Sequence, residues 1–315
     1  MEDHMTRIAK YVDGNEDAHR REWGESPERF DGTLSQSAFA LEDSLADSKP
    51  TRGMTRGHGG DSAKQIEILK LDAAYRLAAN NGRVMEAGDL LERSLFVRVD
   101  VFGPGSPEAD SACRALVTHF NSAGMQALHA ANYPLAFELL RKAEFLTRKS
   151  GVIAQREARL RHRAISLNNL GCVYRRRKKL HAALRCLEQA LTIELSLAEE
   201  MPHAHDASYD TRIDGPADTH LNLAAVLSEL GQHNAALSHV ECALTLLPDL
   251  DPLCEEALEE GRRVDAPEVH VYAAACHNAA VEHHALNHIE AAVFFFDRAH
   301  RAAAATWGLH NGEAK

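Results

Sequence analysis

Aromatic residues are scarce in this sequence, at 6% of 315 positions. Sheet proteins draw on aromatic and β-branched side chains, so the shortage speaks against a sandwich or barrel. Cysteine occurs six times, at Cys113, Cys172, Cys186, Cys242, Cys254 and Cys276, and never as a C-x-x-C pair. That scatter lacks the spacing of zinc and redox motifs and fits reduced, buried thiols in an intracellular chain. Basic charge is in deficit: 35 Lys and Arg stand against 46 Asp and Glu, for a net charge of -11. An acidic chain is a poor general binder of nucleic acid, because phosphate contacts need a basic face. No apolar run approaches the roughly 18 residues of a membrane span. Met1 to Asp13 contains no apolar core of a secretory signal. The expectation is a cytoplasmic protein whose partners include neither nucleic acid nor membrane.

Catalytic motifs are also missing. There is no G-x-x-x-x-G-K-[ST], G-x-S-x-G or H-E-x-x-H, and the glycines of "RGHGGDSAK" lack both the spacing and the strand context of a phosphate loop. We expect no enzyme activity and no cofactor. His277, His284 and His288 share a helical stretch, with His283 adjacent. His284 and His288, four apart, have chelating spacing, but no acid or cysteine nearby completes a site, so no metal is expected.

What is present is helical. Residues 1–62 are rich in Asp, Glu, Ser, Gly and Arg and too poor in apolar residues to offset their ordering entropy. They are expected to be a disordered extension, with one apolar island at Phe39, Leu41 and Leu45. From residue 63 to 315, apolar residues recur at three- and four-residue spacing, without strand-like alternation. Ser106-Pro107-Glu108 reads as an N-cap, a proline in the first turn and an acid beside the helix dipole.

A repeat underlies this pattern. "LNNLGCVYRRRKKLHAALRCLEQALTIE" contains Leu167, Leu170, Gly171 and Tyr174, followed by Ala183, Leu187 and Ala190. The same frame fits Leu223, Ala224 and Leu227 with Ala236, Val240 and Ala243. It fits Ala123, Gly124 and Ala127 with Ala136, Leu140 and Ala143, and Ala279 and Ala280 with Ala292, Phe296 and Ala299. A weaker copy has Leu71, Ala74, Tyr75, Ala87, Leu91 and Ser94. Gly171 inside a helix costs about 1 kcal/mol relative to alanine, so a close helix crossing, with Ala183 opposite, is expected to require it.

This frame resembles the tetratricopeptide repeat, from about Ile68 to Thr306. Equivalent positions Ala74, Ala123, Leu170, Leu223 and Ala279 lie 49, 47, 53 and 56 residues apart, longer than the common period. "RSLFVRVDVFGPGSPEADSACRAL" is similar to the connector of kinesin-light-chain-type repeats. The resemblance implies an all-α, right-handed α-solenoid of about five helix-turn-helix repeats, with inserted loops near Glu199 to Pro216 and Pro248 to Pro267. It also implies a scaffold or adaptor that binds other proteins through a groove lined by the first helices. Asn169, Asn222 and Asn278 occupy the family's backbone-binding position, with Asn121, Asn168 and His277 beside them. An amide donates and accepts, so it can satisfy an extended peptide without reading its side chains. Arg163, Arg175, Arg176, Arg177, Lys178 and Lys179 belong to a basic block suited to an acidic peptide or to an acidic filament surface. The alternative to an adaptor is a structural subunit of a microtubule or ciliary assembly. Finally, Phe294, Phe295 and Trp307 and the run Ala302 to Ala305 leave an apolar end expected to pack against a partner, a second copy or the island around Phe39.

Overall fold

The computed structural model describes residues 58–149, 152–200, 215–264 and 266–307. Among them are eleven α-helices and no strand: α1 His58–Asn80, α2 Val84–Phe102, α3 Pro107–His129, α4 Tyr133–Leu146, α5 Arg156–Arg176, α6 Leu180–Glu200, α7 Pro216–Glu229, α8 His233–Leu246, α9 Asp251–Glu259, α10 Pro267–Ala285 and α11 Ile289–Trp307. The extension through residue 57 and its island at Phe39 lie outside the described residues. The helices form five antiparallel pairs: α1–α2, α3–α4, α5–α6, α7–α8 and α10–α11. Each pair packs on the next, so the architecture is an all-α helical repeat array.

The turns show how strictly the register repeats. Gly82, Ala131, Lys178, Gly231 and Asn287 all have positive φ, and each lies eight residues after its repeat's reference position. The next residue's amide reaches back five residues in every case, as in Arg83 N to Ala78 O at 2.9 Å and Lys179 N to Tyr174 O at 2.9 Å. This is the Schellman closure of a helix, which needs a left-handed residue at its end. Two of the five sites use glycine, and Ala131 and Lys178 adopt the same conformation with a side chain.

The small residues of the frame sit at the crossings. A Cβ on Gly171 would lie 2.6 Å from Leu187 Cγ, and one on Gly124 would lie 2.6 Å from Leu140 Cγ. Both leucines are buried, as are Ala183 and Ala136. The close neighbour of Gly171 is therefore Leu187, sixteen residues on, rather than Ala183 as expected. At the same separation α7 and α8 pair Ala224 with Val240, both buried. A methyl gained on one helix is matched by a methylene lost on the other, which keeps the interior filled.

Helix ends follow the local chemistry. Ser106 Oγ accepts from Ala109 N at 3.2 Å, and Asn132 Oδ1 accepts from Leu135 N at 3.4 Å. The helix after Asn132 ends at Leu146, where Thr147 Oγ1 donates to Glu144 O at 2.7 Å. The segment Pro248 to Pro267, expected to be an inserted loop, contains α9. Cys254 and Ala257 of α9 are buried in a cluster with Ala299, Ala302 and Ala305 of α11. Asp251 adds ion pairs to Arg298 and Arg301, the latter at 2.7 Å. Ala302, Ala304 and Ala305 are therefore covered, and the alanine run is not an open end. The other expected insertion falls largely on residues 201–214, outside the described residues.

Candidate protein-binding surface

The first helices α3, α5 and α7 are tied together by amides. Asn121 donates to Val117 O at 3.1 Å and to Ser166 Oγ at 3.0 Å, and accepts from Asn169 Nδ2 at 3.1 Å. One repeat later the geometry recurs: Asn168 Oδ1 accepts from Asn222 Nδ2 at 3.1 Å and from Thr219 Oγ1 at 3.5 Å. Asn121, Asn168 and Asn169 are buried and Asn222 is half-buried. In each step an asparagine two before the reference position meets a hydroxyl and an asparagine of the next repeat. Such bonds contribute about 1 kcal/mol each, and stranding one buried amide costs about 1–3 kcal/mol. Sequence reasoning assigned these amides to a ligand and missed their inter-repeat role. The recurrence of S-x-x-N at Ser166 and T-x-x-N at Thr219 was the available signal.

The ladder stops at α10. Leu221 stands where Asn121 and Asn168 stand in the preceding repeats. Asn278 is half-buried and has no side-chain hydrogen bond among the described residues. His277 is exposed and meets the Phe296 ring edge-on at 5.8 Å. Of the six candidate groove residues, four are engaged between repeats and two remain accessible at the C-terminal side.

The basic block is less cationic than its sequence. Glu144, buried on α4, receives Arg163 at 3.2 Å along with Arg141 and Arg148. Burial alone would raise the Glu144 carboxyl, but Arg163, Arg148 and Arg141 outweigh it and hold it below the usual range. Glu229 of α7 receives Arg175 at 2.8 Å and Lys178 at 2.9 Å. Arg177 lies over the Phe137 ring, 5.6 Å from its centre. Arg176 and Lys179 are exposed with no ion pair among the described residues.

The apolar end also divides. Phe294 and Trp307 are exposed. Phe295, expected beside them, turns inward against the cores of the last two repeats and stacks on His283 at 5.4 Å. Among the described residues no group of three or more His, Cys, Asp or Glu gathers as a metal site, and His283 rather than His284 contacts His288. None of the six cysteines forms a disulfide. Burial pushes the Cys113 and Cys186 thiols up to about 12, which leaves them protonated and unreactive near neutrality. No described helix is long and apolar enough to cross a membrane.

Comparison with known proteins places a name on one repeat. Residues 163–193, most of α5 and of α6, match the tetratricopeptide repeat. Comparison with curated proteins found no match. Among solved structures, a putative kinesin light chain from Podosopora anserina with nearly identical TPR-like repeats is 17% identical. The match covers 76% of this chain and 95% of that one, at a TM-score of 0.43. BtubC (BKLC) from P. vanneervenii is 16% identical over 90% of this chain and 96% of its own, at a TM-score of 0.48. The matched repeat shares its turn and helix closure with the four pairs around it, so the chain is an all-α helical repeat array of which one repeat matches the tetratricopeptide family.

Proposed function

We propose that this chain is a non-catalytic scaffold that holds an extended acidic peptide against its first helices, from Asn222 to Asn278. One observation carries the reading. Asn278 repeats the ladder position of Asn169 and Asn222 but lacks a partner amide, because Leu221 has replaced it. It is an accessible donor and acceptor in a row otherwise used for binding between helices. A peptide unit has the same donor and acceptor as the missing side chain. Exposed Arg176 and Lys179 supply the charge that selects an acidic segment. Tetratricopeptide arrays are typically protein-interaction scaffolds, and the accessible Asn278 serves that purpose here.

The test is fluorescence anisotropy with labelled Asp/Glu-rich peptides of about a dozen residues. Asn278→Ala should weaken binding roughly tenfold, the loss of one to two good hydrogen bonds. Arg176→Glu with Lys179→Glu should weaken it further and flatten its salt dependence. Equal binding by wild type and both variants would remove this assignment.

A further inference from the structure

The inner repeats stack by one rule. Each second helix packs on the following first helix: α2 on α3, α4 on α5, α6 on α7 and α8 on α10. Among the described residues, helix α1 has no preceding second helix and α11 no following first helix.

The contacts that build these inner junctions can be counted from the alanine near the start of each second helix: Ala136, Ala183, Ala236 and Ala292. One residue later, Phe137 meets the Tyr174 ring of α5 at 5.5 Å, and Leu184 packs on the α7–α8 core. The equivalent Val293 of α11 is 64% exposed. Eight residues later, Glu144 pairs with Arg163 of α5, and Leu244 packs on the α10–α11 core. The equivalent His300 is exposed. Three residues earlier, His233 meets Glu282 of α10 at 2.8 Å, and the equivalent Ile289 is 51% exposed. Helix α9 does not cover this stripe. It packs at Ala302, nine residues and two and a half turns from Val293, on the opposite side of α11.

Helix α1 shows the other half. Four residues before the reference position, Ser166, Thr219 and Ala275 are buried, while the equivalent Lys70 is exposed. Three after it, Val173, Val226 and Glu282 are buried in α5, α7 and α10, the α3 counterpart Gln126 is exposed, and Leu77 is 60% exposed. Eight before it, His162 is buried and Val271 packs on the α7–α8 core, while Ile66 is 51% exposed. The two end helices thus expose opposite halves of the junction made at α4–α5, α6–α7 and α8–α10.

We propose that the occupant of the α11 stripe is α1 of a second copy, so that molecules stack head to tail in continuation of the array. The register sets the contacts. Leu77 of one copy meets Ile289 of the other, where Glu282 meets His233 inside the chain. Glu67, exposed and without an ion pair among the described residues, meets His300, where Arg163 meets Glu144. The two surfaces differ, so the contact is heterologous and leaves one free end at each side.

Sedimentation velocity on the full chain tests this. The wild-type weight-average mass should rise with concentration beyond twice the 34.6 kDa monomer. Leu77→Glu inactivates only the α1 face, and Val293→Glu only the α11 face. Each variant alone should remain monomeric, while an equimolar mixture should form a dimer and nothing larger. Circular dichroism verifies that both stay helical; Ile66→Glu and Ile289→Glu replace either that does not. Wild type that stays monomeric over two decades of concentration overturns the proposal, as it would if the N-terminal extension or another protein held either face. A single variant that still dimerises, or a mixture that does not, overturns it as well.

Discussion

Gly171→Ala is the sharpest probe of the repeat packing, because two effects of opposite sign meet there. Replacing a mid-helix glycine with alanine favours the helix by about 1 kcal/mol. The new Cβ, however, would lie 2.6 Å from Leu187 Cγ and 2.7 Å from its Cδ2. Ordinary carbon contacts are about 3.5–4.0 Å, so Leu187 must retreat by about 1 Å. It has nowhere to go: Leu187 is 1% exposed, and the atom approached first is its branch point. Overpacking of this kind costs about 1–3 kcal/mol, and here the upper half applies. The net expectation is a loss of about 1–2 kcal/mol in urea denaturation followed by circular dichroism. Leu187→Val alone should cost about 1 kcal/mol for the lost methylene. The double variant recreates the Ala224–Val240 pair of the next repeat and should lie within about 1 kcal/mol of wild type. The coupling energy should therefore favour the pair by at least about 1 kcal/mol. A Gly171→Ala protein more stable than wild type, as propensity alone demands, would refute the close crossing.

Two other outcomes concern a strained turn and a buried histidine pair. Ala131 sits at φ 57, where a side chain costs about 1–2 kcal/mol, and glycine relieves that at some cost in unfolded-chain entropy. Ala131→Gly should stabilise the array by about 0.5–1 kcal/mol, visible as a raised urea midpoint. His220 is buried with its Nδ1 2.8 Å from His239 Nδ1; burial, and then His239, push it down to about 4. Its folded value lies below the unfolded value of about 6.5, so between them only the unfolded chain takes the proton and stability falls as pH falls. About 2 kcal/mol should be lost between pH 7 and pH 5, and His220→Gln should flatten that slope; an unchanged slope would rule out His220 as its source.

The parts of this fold legible in the sequence are those set within one helix or one turn. Ser106 and Asn132 announce their caps because the donor lies three residues away. The small residues at Gly124, Gly171 and Ala224 mark the crossings because the partner helix follows directly in the chain. The segment Asp251–Glu259 looked like a loop because prolines and acids surround it. Its two buried residues, Cys254 and Ala257, make sense only against Ala302 and Ala305 at the far end of the chain.

What was not legible depends on residues one repeat apart. Arg175 and Lys178 read as free cations, yet Glu229, 54 and 51 residues on, pairs with both. Asn121 and Asn168 read as ligand groups, yet Asn169 and Asn222, 48 and 54 residues on, occupy them. A window wide enough for a helix cannot see such pairs. In an array the informative separation is the repeat length itself, because every residue on one face of a first helix lies against the next copy of that face. The same reasoning turns Asn278 and α1 into signals. Asn278 is conspicuous because Leu221 withholds the amide found one repeat earlier, and Leu77 is conspicuous because its counterparts Val173, Val226 and Glu282 are buried. In a repeat protein, an accessible residue at a position that is buried elsewhere marks where something else belongs.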